Sequence, residues 1–233
     1  MSAMNLRALR TIALAALVAL GCPVLFAGQA AGQTTVGGVA FGSYVNALGV
    51  MAQSPVAMLP DTGGMAVGEA DTFGVPSALS AQWLDATTTG AVDDAVSTSQ
   101  SSSELEDVNV LNGLITADIV TAIASSYQNA TGAASGSDGS AFTNLVVNGA
   151  SVTSDVAPNT QIALPGVGYV VLNEQQVTGD GVSLSGITVN MIHVYLQSLV
   201  GGLLDPLTGQ LIGGILTTTG EIILGSANSA VGT

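Results

Sequence analysis

Residues 108–120 read VNVLNGLITADIV, and residues 143–156 read TNLVVNGASVTSDV. In each stretch an Asn-Gly pair, Asn112-Gly113 or Asn148-Gly149, stands between runs rich in β-branched residues. Both residues of such a pair tolerate positive φ, which the tight turn of a β-hairpin requires. The two stretches therefore predict antiparallel hairpins.

The competing interpretation of the first stretch is a helix that begins at Ser103. Ser103 and Glu106 fit a capping box, and apolar residues recur after them at helical spacing. However, the two asparagines and the glycine that follow are poor helix formers. Strands are the favoured interpretation.

The rest of the chain has a similar composition, with short apolar runs separated by turn signals from Gln33 onward. Short strands with regular turn signals are typical of a sandwich or barrel. We expect an all-β protein, an antiparallel β-sandwich of short strands and hairpins, with one domain over residues 31–233. Residues 86–107 are predicted as a polar loop or exposed edge, 129–140 as a flexible connection, and 199–216 as an apolar hairpin that turns at 205–209.

The charge balance excludes a large class of functions. Of 233 residues, 2 are Lys or Arg and 16 are Asp or Glu, and the two basic residues are Arg7 and Arg10. A chain with no further cationic side chain does not neutralise phosphates, so nucleic-acid binding and most nucleotide-phosphate chemistry are excluded. Charged residues are 8% of the chain and hydrophobic residues 48%, a composition that buries a core and argues against acidic disorder.

Residues 1–30 have the layout of a helical, cleaved signal peptide. Arg7 and Arg10 form the positive part, residues 11–26 are apolar, and small residues lead to a cleavage site after Ala30. We expect a secreted or cell-surface protein with no membrane span in the mature chain; an uncleaved anchor is the alternative. Cys22, the only cysteine, is interpreted as part of the apolar segment, and lipid attachment there is its alternative.

Carboxylates are the only abundant reactive groups. Asp93, Asp94, Glu104, Glu106 and Asp107 form two clusters in the polar stretch. Such oxygen ligands suit calcium, but a solvated acidic surface is the favoured interpretation. A pair of carboxylates also suits a glycosidase, although any two of the sixteen would qualify. No catalytic or cofactor-binding residue is predicted, the metal ligands stay unassigned, and calcium is the one cofactor left open.

His193 is the only histidine. Period-two alternation predicts that it shares a strand face with Met191 and Tyr195. No serine elbow accompanies it, so we expect a structurally hydrogen-bonded histidine. Trp83, the only tryptophan, is expected to belong to the core, as are the few tyrosines and phenylalanines.

Five stretches resemble, in order and spacing, the middle and end of the bacterial choice-of-anchor P family: TNLVVNG (143–149), PNTQI (158–162), VGYVVLNEQ (167–175), ITVNMIHV (187–194) and GEIILGSA (220–227). The resemblance reaches back to residues 41–44. It implies a secreted or surface domain of unestablished activity, and it carries over no catalytic residues. Family members use several C-terminal anchors; none is visible at residues 229–233, so release, or retention by contacts, is expected.

These observations predict a secreted or cell-surface structural or interaction (adhesin-like) module without catalytic activity. The alternative is a calcium-dependent glycan-binding domain, followed by a carboxylate-based glycosidase. The expected partners are extracellular or cell-surface components and not nucleic acid, and self-association is left open.

Overall fold

The computed structural model describes residues 34–47, 49–93, 95–200, 203–204, 211–212 and 215–233. These residues lie within one compact unit, Ala31–Thr233. The signal peptide predicted over residues 1–30, with Cys22, lies outside the described residues.

All regular secondary structure in the described part of the chain is β. The strands are β1 (Thr35–Ala47), β2 (Val50–Met58), β3 (Gly64–Val75), β4 (Leu79–Ala91), β5 (Val96–Val110), β6 (Ile115–Asn129), β7 (Gly132–Gly136), β8 (Ala141–Thr143), β9 (Val146–Val147), β10 (Ala150–Ser151), β11 (Thr160–Leu164), β12 (Gly168–Gly179), β13 (Leu184–Val200), β14 (Leu203–Leu204), β15 (Leu211–Ile212) and β16 (Ile215–Gly232).

The strands form two large antiparallel sheets that face each other. The six-stranded sheet has the order β11-β12-β13-β16-β1-β2, and the eight-stranded sheet has the order β10-β9-β6-β5-β4-β3, with β7 and β8 also paired to β6. Fully buried side chains from both sheets, such as Leu105, Ile115, Ile192 and Leu224, belong to one hydrophobic core. The predicted all-β sandwich is therefore confirmed.

Both Asn-Gly turns are confirmed. Asn112 (φ 57°) and Gly113 (φ 89°) lie in the turn between β5 and β6. Asn148 (φ 50°) and Gly149 (φ 77°) join β9 to β10. The alternative helix from Ser103 is wrong, because this residue lies inside β5.

The prediction of a polar loop or exposed edge over residues 86–107 is wrong. The stretch contains the end of β4 and most of β5, and β5 is a central strand that pairs with β4 and β6. Its serines alternate with exposed residues, so Ser97, Ser99, Ser101 and Ser103 are all buried between the sheets. The flexible connection predicted over residues 129–140 is also partly wrong, because β7 pairs with β6 there.

The serine-lined half of the interior brings the two sheets close together. The Ser99 hydroxyl donates a hydrogen bond to the Gly37 carbonyl at 2.7 Å. A Cβ atom on Gly38 would lie 2.7 Å from the Ser101 hydroxyl oxygen, so only glycine fits there without displacement. Small side chains on both sheets therefore allow the close approach, and hydroxyl groups such as those of Ser101 and Ser103 are enclosed without a partner.

In the six-stranded sheet, the set of alternate side chains that faces the core changes part-way along each strand. The change occurs at one row of residues that runs across the sheet. On β13 the core residues are Val189 and Met191 up to this row and Ile192 and Val194 after it. The neighbouring strands change in step, because β12 and β16 keep their registers with β13 on both sides of Met191. We call this row the pleat reversal.

Left-handed backbone accompanies the pleat reversal on β12 and β16. Asn173 on β12 has φ 50° and Gly225 on β16 has φ 61°, and both lie opposite Met191 in the register. A Cβ atom on Gly225 would lie 3.0 Å from Val120 Cγ1, so glycine is required here for both conformation and space. One left-handed residue in a strand is enough to turn the following side chains to the other face.

The eight-stranded sheet contains a corresponding irregularity on β4. Trp83 and Leu84 together lie opposite Leu105 of β5, which makes a β-bulge, and Trp83 has φ 45°. Before the bulge Ala81 is buried, whereas after it Leu84 and the even-numbered residues are. Simple alternation would place Trp83 in the core, and the bulge instead places it on the outer face.

The buried serines give a matched pair of stability variants. Ser101→Ala removes a buried hydroxyl that has no partner, so we expect it to raise the free energy of unfolding by about 1 kcal/mol. Ser99→Ala removes a made hydrogen bond, so we expect a decrease of about 1 kcal/mol. Urea denaturation measures both changes, and shifts of the same sign in the two variants would contradict this description of the interior.

Candidate functional site

His193 joins three strands on the outer face of the six-stranded sheet. Its Nδ1 atom lies 2.7 Å from Glu174 Oε2 on β12, and its Nε2 atom lies 3.2 Å from Glu221 Oε2 on β16. The imidazole is buried, and about a quarter of each glutamate side chain is exposed (25% and 27%). We call these three residues the histidine clasp.

The neighbours of the clasp occupy most of its hydrogen-bonding groups. The Tyr195 hydroxyl donates to Glu174 Oε1 at 2.9 Å, and the Asn190 amide donates to Glu174 Oε2 at 2.8 Å. The Tyr195 ring stacks on His193 and on Tyr169, with centroid separations of 3.9 and 4.7 Å. The clasp is therefore a closed network that already satisfies Glu174.

The prediction that His193 shares a strand face with Met191 and Tyr195 is only half correct. Tyr195 does share its face, but Met191 belongs to the core. The pleat reversal lies at Met191 and separates it from His193. The adjacent apolar residues Met191 and Ile192, where the alternation changes phase, are the sequence signal that would have indicated it. The expectation of a structurally hydrogen-bonded histidine is confirmed.

The network changes the ionisation of its members. Burial alone would lower the pKa of His193, but hydrogen bonds to Glu174 and Glu221 and the charges of both carboxylates outweigh it, so the pKa lies above its ordinary value. Burial alone would raise the pKa of Glu174, but hydrogen bonds from His193, Asn190 and Tyr195 lower it to about 2. At pH values below the ordinary 6.5 of histidine, the favoured state is therefore an imidazolium that donates to two carboxylates.

This geometry suits a structural clasp better than catalysis. A glycosidase holds its substrate between two carboxyl groups. Here the His193 ring occupies the place between Glu174 and Glu221. The space between the two carboxylates that lie closest to His193 is therefore occupied by the imidazole ring.

The outer face of the eight-stranded sheet has the opposite character. Glu69 of β3, Asp85 of β4 and Glu104 of β5 lie directly opposite one another in a single cross-strand row, and all three are exposed. Like charges in this arrangement repel one another. Trp83 lies two residues from Asp85 on the same strand and is 61% exposed. We call these four residues the acidic tryptophan face.

The sequence predicted other positions for Trp83 and for the acidic residues. The expectation that Trp83 belongs to the core is wrong, because the β-bulge turns it outward. Of the predicted acidic clusters, Glu104 joins the row, Glu106 and Asp107 follow it on β5, and Asp93 lies on the exposed turn before β5, where its carboxylate accepts from the Ala95 amide. Asp94 lies outside the described residues. Cross-strand register, which the sequence does not specify, brings Glu69 and Asp85 to Glu104.

Two further findings concern the part of the chain that the structure describes. No three His, Cys, Asp or Glu side chains are grouped there so as to hold a metal ion. No helix there is long and apolar enough to cross a membrane.

The fold and these two surfaces define an all-β sandwich domain with one closed network and one open acidic face. The chain belongs to the family described as "Domain of unknown function (DUF8256)", whose model matches residues 29–178, well over half of the chain. The matched stretch includes Trp83 and Glu174, whereas His193 and Glu221 follow it. No curated protein and no solved structure matches the chain.

The clasp predicts a pH-dependent contribution to stability. Because the pKa of His193 is raised, its contribution is complete below its ordinary value of 6.5 and is lost as the pH rises through the raised pKa. Because the pKa of Glu174 is lowered, its contribution is complete above its ordinary value of 4.5 and is lost as the pH falls towards about 2. Both contributions are present between these two ordinary values.

We therefore expect His193→Gln to lower the free energy of unfolding most between pH 4.5 and 6.5, by about 2 kcal/mol. The deficit should shrink on the alkaline side as wild-type His193 loses its proton. Urea denaturation of both proteins across pH measures the difference. A deficit that is constant with pH, or that grows above neutrality, would contradict the clasp.

Proposed function

We propose that the protein is a secreted or cell-surface interaction module without catalytic activity, and that it binds its partner through the acidic tryptophan face. The exposure of Trp83 carries this proposal. Tryptophan is a residue type that dominates binding energy at interfaces. Here it stands in the open, in the middle of a polar sheet face.

The backbone at Trp83 supports a role for the exposed ring. A bulky residue at positive φ is an outlier that costs free energy and tends to occur at functional positions. Glycine would adopt φ 45° without that cost. Structural needs alone therefore favour glycine, whereas a binding role favours tryptophan.

The charge of the face indicates the chemistry of the partner. Glu69, Asp85 and Glu104 repel one another in the free protein. A partner with cationic groups would relieve that repulsion, and a cation next to Trp83 would also be attracted by the face of the indole ring. The proposed partner is an extracellular or cell-surface component that presents basic groups beside an apolar contact.

The sequence supports the extracellular location. Residues 1–30 have the layout of a signal peptide, and several stretches resemble the choice-of-anchor P family, whose members are secreted or surface domains. The family to which the chain belongs carries no assigned function. Location and activity are both part of the proposal.

In the test, the wild-type chain and the Trp83→Gly variant are each immobilised and exposed to cell-surface components. The amount of these components that each protein retains is compared. Glycine suits the left-handed backbone, so the variant keeps the fold and loses only the ring. We expect retention to fall at least about tenfold and, for the wild type, to weaken as salt screens the carboxylates. Val177→Ala is the matched control, because Val177 is exposed and lies on the other sheet. Equal retention by the wild type and Trp83→Gly would contradict the proposal.

A calcium-dependent glycan-binding domain is the second candidate, and the carboxylate row is the observation that favours it. No three carboxylates of the described residues are grouped so as to hold a metal ion by themselves, so a calcium ion that bridges two of them would take its other oxygen ligands from water or from the bound glycan. Trp83 would offer a stacking surface for the sugar. We expect calcium at about 100 times its dissociation constant to stabilise the fold by about 2.7 kcal/mol.

A thermal melt with millimolar calcium measures this shift. Glu104→Gln should abolish it, because this carboxylate lies in the row. Asp61→Asn should leave it unchanged, because Asp61 lies in the exposed turn before β3 and away from the row. The absence of a shift in the wild type would remove calcium and leave the first proposal intact.

A further inference from the structure

The two Asn-Gly turns lie next to each other in the folded chain. The Asn148 backbone amide donates a hydrogen bond to the Leu114 carbonyl at 2.8 Å, and Val147 pairs with Ile115. Asn148 and Asn112, which stands in the turn between β5 and β6, are both exposed. Both asparagines are therefore open to water.

An asparagine that precedes a glycine can lose its side-chain amide by a reaction within the chain. The glycine backbone nitrogen forms a bond to the asparagine Cγ atom. The proton of this nitrogen passes through solvent to the side-chain nitrogen, which leaves as ammonia when its bond to Cγ breaks. Water then opens the cyclic imide at either carbonyl and leaves aspartate or isoaspartate. Glycine favours ring closure because it has no side chain to obstruct it.

Hydrogen bonding distinguishes the two pairs, which look alike in the sequence. The Gly113 N–H donates a hydrogen bond to Asn109 Oδ1 at 2.8 Å. This bond holds the proton that the reaction must remove, so it has to break before the ring at Asn112 closes. Among the described residues the Gly149 N–H has no acceptor. The nitrogen that would attack Asn148 therefore loses its proton to solvent without breaking a hydrogen bond.

A third asparagine on the same segment shows what the glycine contributes. Asn144 is exposed and has φ 52°, close to the φ 50° of Asn148. However, its side-chain amide donates to Asp118 Oδ2 at 2.6 Å, and Leu145, the next residue, is buried. A side chain fixed in the core opposes the backbone movement that ring closure needs. Exposure and left-handed backbone alone therefore do not make a reactive asparagine.

We infer that Asn148 is a site of spontaneous deamidation in the folded protein, and that Asn109 protects Asn112 from the same reaction. The modification gives a negative charge to a turn of uncharged residues. Isoaspartate also inserts an extra carbon atom into the main chain between Val147 and Ala150, which pair across this turn. We expect this form to lose the pairing of β9 with β10 and to keep the pairing of β9 with β6.

Peptide mass spectrometry of the purified full chain tests this inference, which is independent of the proposed function. No lysine or arginine follows Arg10, so a protease that cuts after aromatic residues takes the place of trypsin. The folded protein is incubated at mildly alkaline pH. Conversion at Asn148 should then exceed conversion at Asn112 by at least about fivefold, the factor that corresponds to one net hydrogen bond. Asn144 should stay intact.

Two variants of Asn109 and one unfolded control make the test specific. Asn109→Ala removes the acceptor and should raise conversion at Asn112 by about fivefold, with no change at Asn148. Asn109→Asp keeps an acceptor oxygen and should leave Asn112 protected. In the urea-unfolded chain the two pairs should convert at similar rates, because the hydrogen bond is lost. Circular dichroism checks that each variant keeps its strands.

Three results would overturn the inference. The first is conversion at Asn112 as fast as at Asn148 in the folded wild type. The second is an Asn109→Ala variant that keeps its strands and leaves Asn112 as slow as before. The third is conversion at Asn148 in urea but not in the folded protein.

Discussion

The pleat reversal is the constraint on which the other features depend. A strand normally offers alternate residues to the core, and this protein changes the core-facing set part-way along its longest strands. Gly225 permits the change on β16, because it combines positive φ with contact to Val120 of the opposite sheet. The bulge at Trp83 achieves the same result on β4. The sheets remain continuous because neighbouring strands change together.

Both surface features follow from these changes of face. His193 lies outside, between Glu174 and Glu221, because β13 has reversed at Met191. Trp83 lies outside because it forms the β-bulge together with Leu84. A regular sandwich with the same sequence would bury one aromatic residue more and would separate His193 from Glu174, because these two residues lie on opposite sides of the reversal row.

The small side chains of the interior are the second structural device. Serine and glycine let the sheets approach closely over one half of the sandwich, while leucine, isoleucine and valine fill the other half. This division explains why residues 86–107 were predicted as a loop or exposed edge. Hydroxyl side chains usually indicate exposure to solvent, whereas here they face the interior. Alternation of serine with larger polar residues from Ser97 to Ser101 was the signal that would have indicated a strand.

The sequence was sufficient for the fold class and for the Asn-Gly hairpins, because composition and turn chemistry are local properties. It was not sufficient for the two surfaces, because they depend on register between strands that are distant in the chain. Glu69 and Glu104 are 35 positions apart by their numbers, yet both flank Asp85. Register also brings His193, the only histidine, next to two carboxylates. No lysine or arginine follows Arg10 in the chain.

The functional account combines a rigid scaffold with an open face. The histidine clasp ties three strands of one sheet together, whereas the other sheet presents acidic groups and one indole ring to solvent. We propose that a domain of this kind binds a partner through its open face.

The fluorescence of Trp83, the only tryptophan, tests the reversed strand faces most directly. The account predicts that the folded protein emits at the long wavelength of a solvated indole and that acrylamide quenches this emission nearly as well as in the urea-unfolded chain. Emission at short wavelength in the folded state, protected from acrylamide, would place Trp83 in the core and contradict the bulge, the acidic tryptophan face and the function proposed for it.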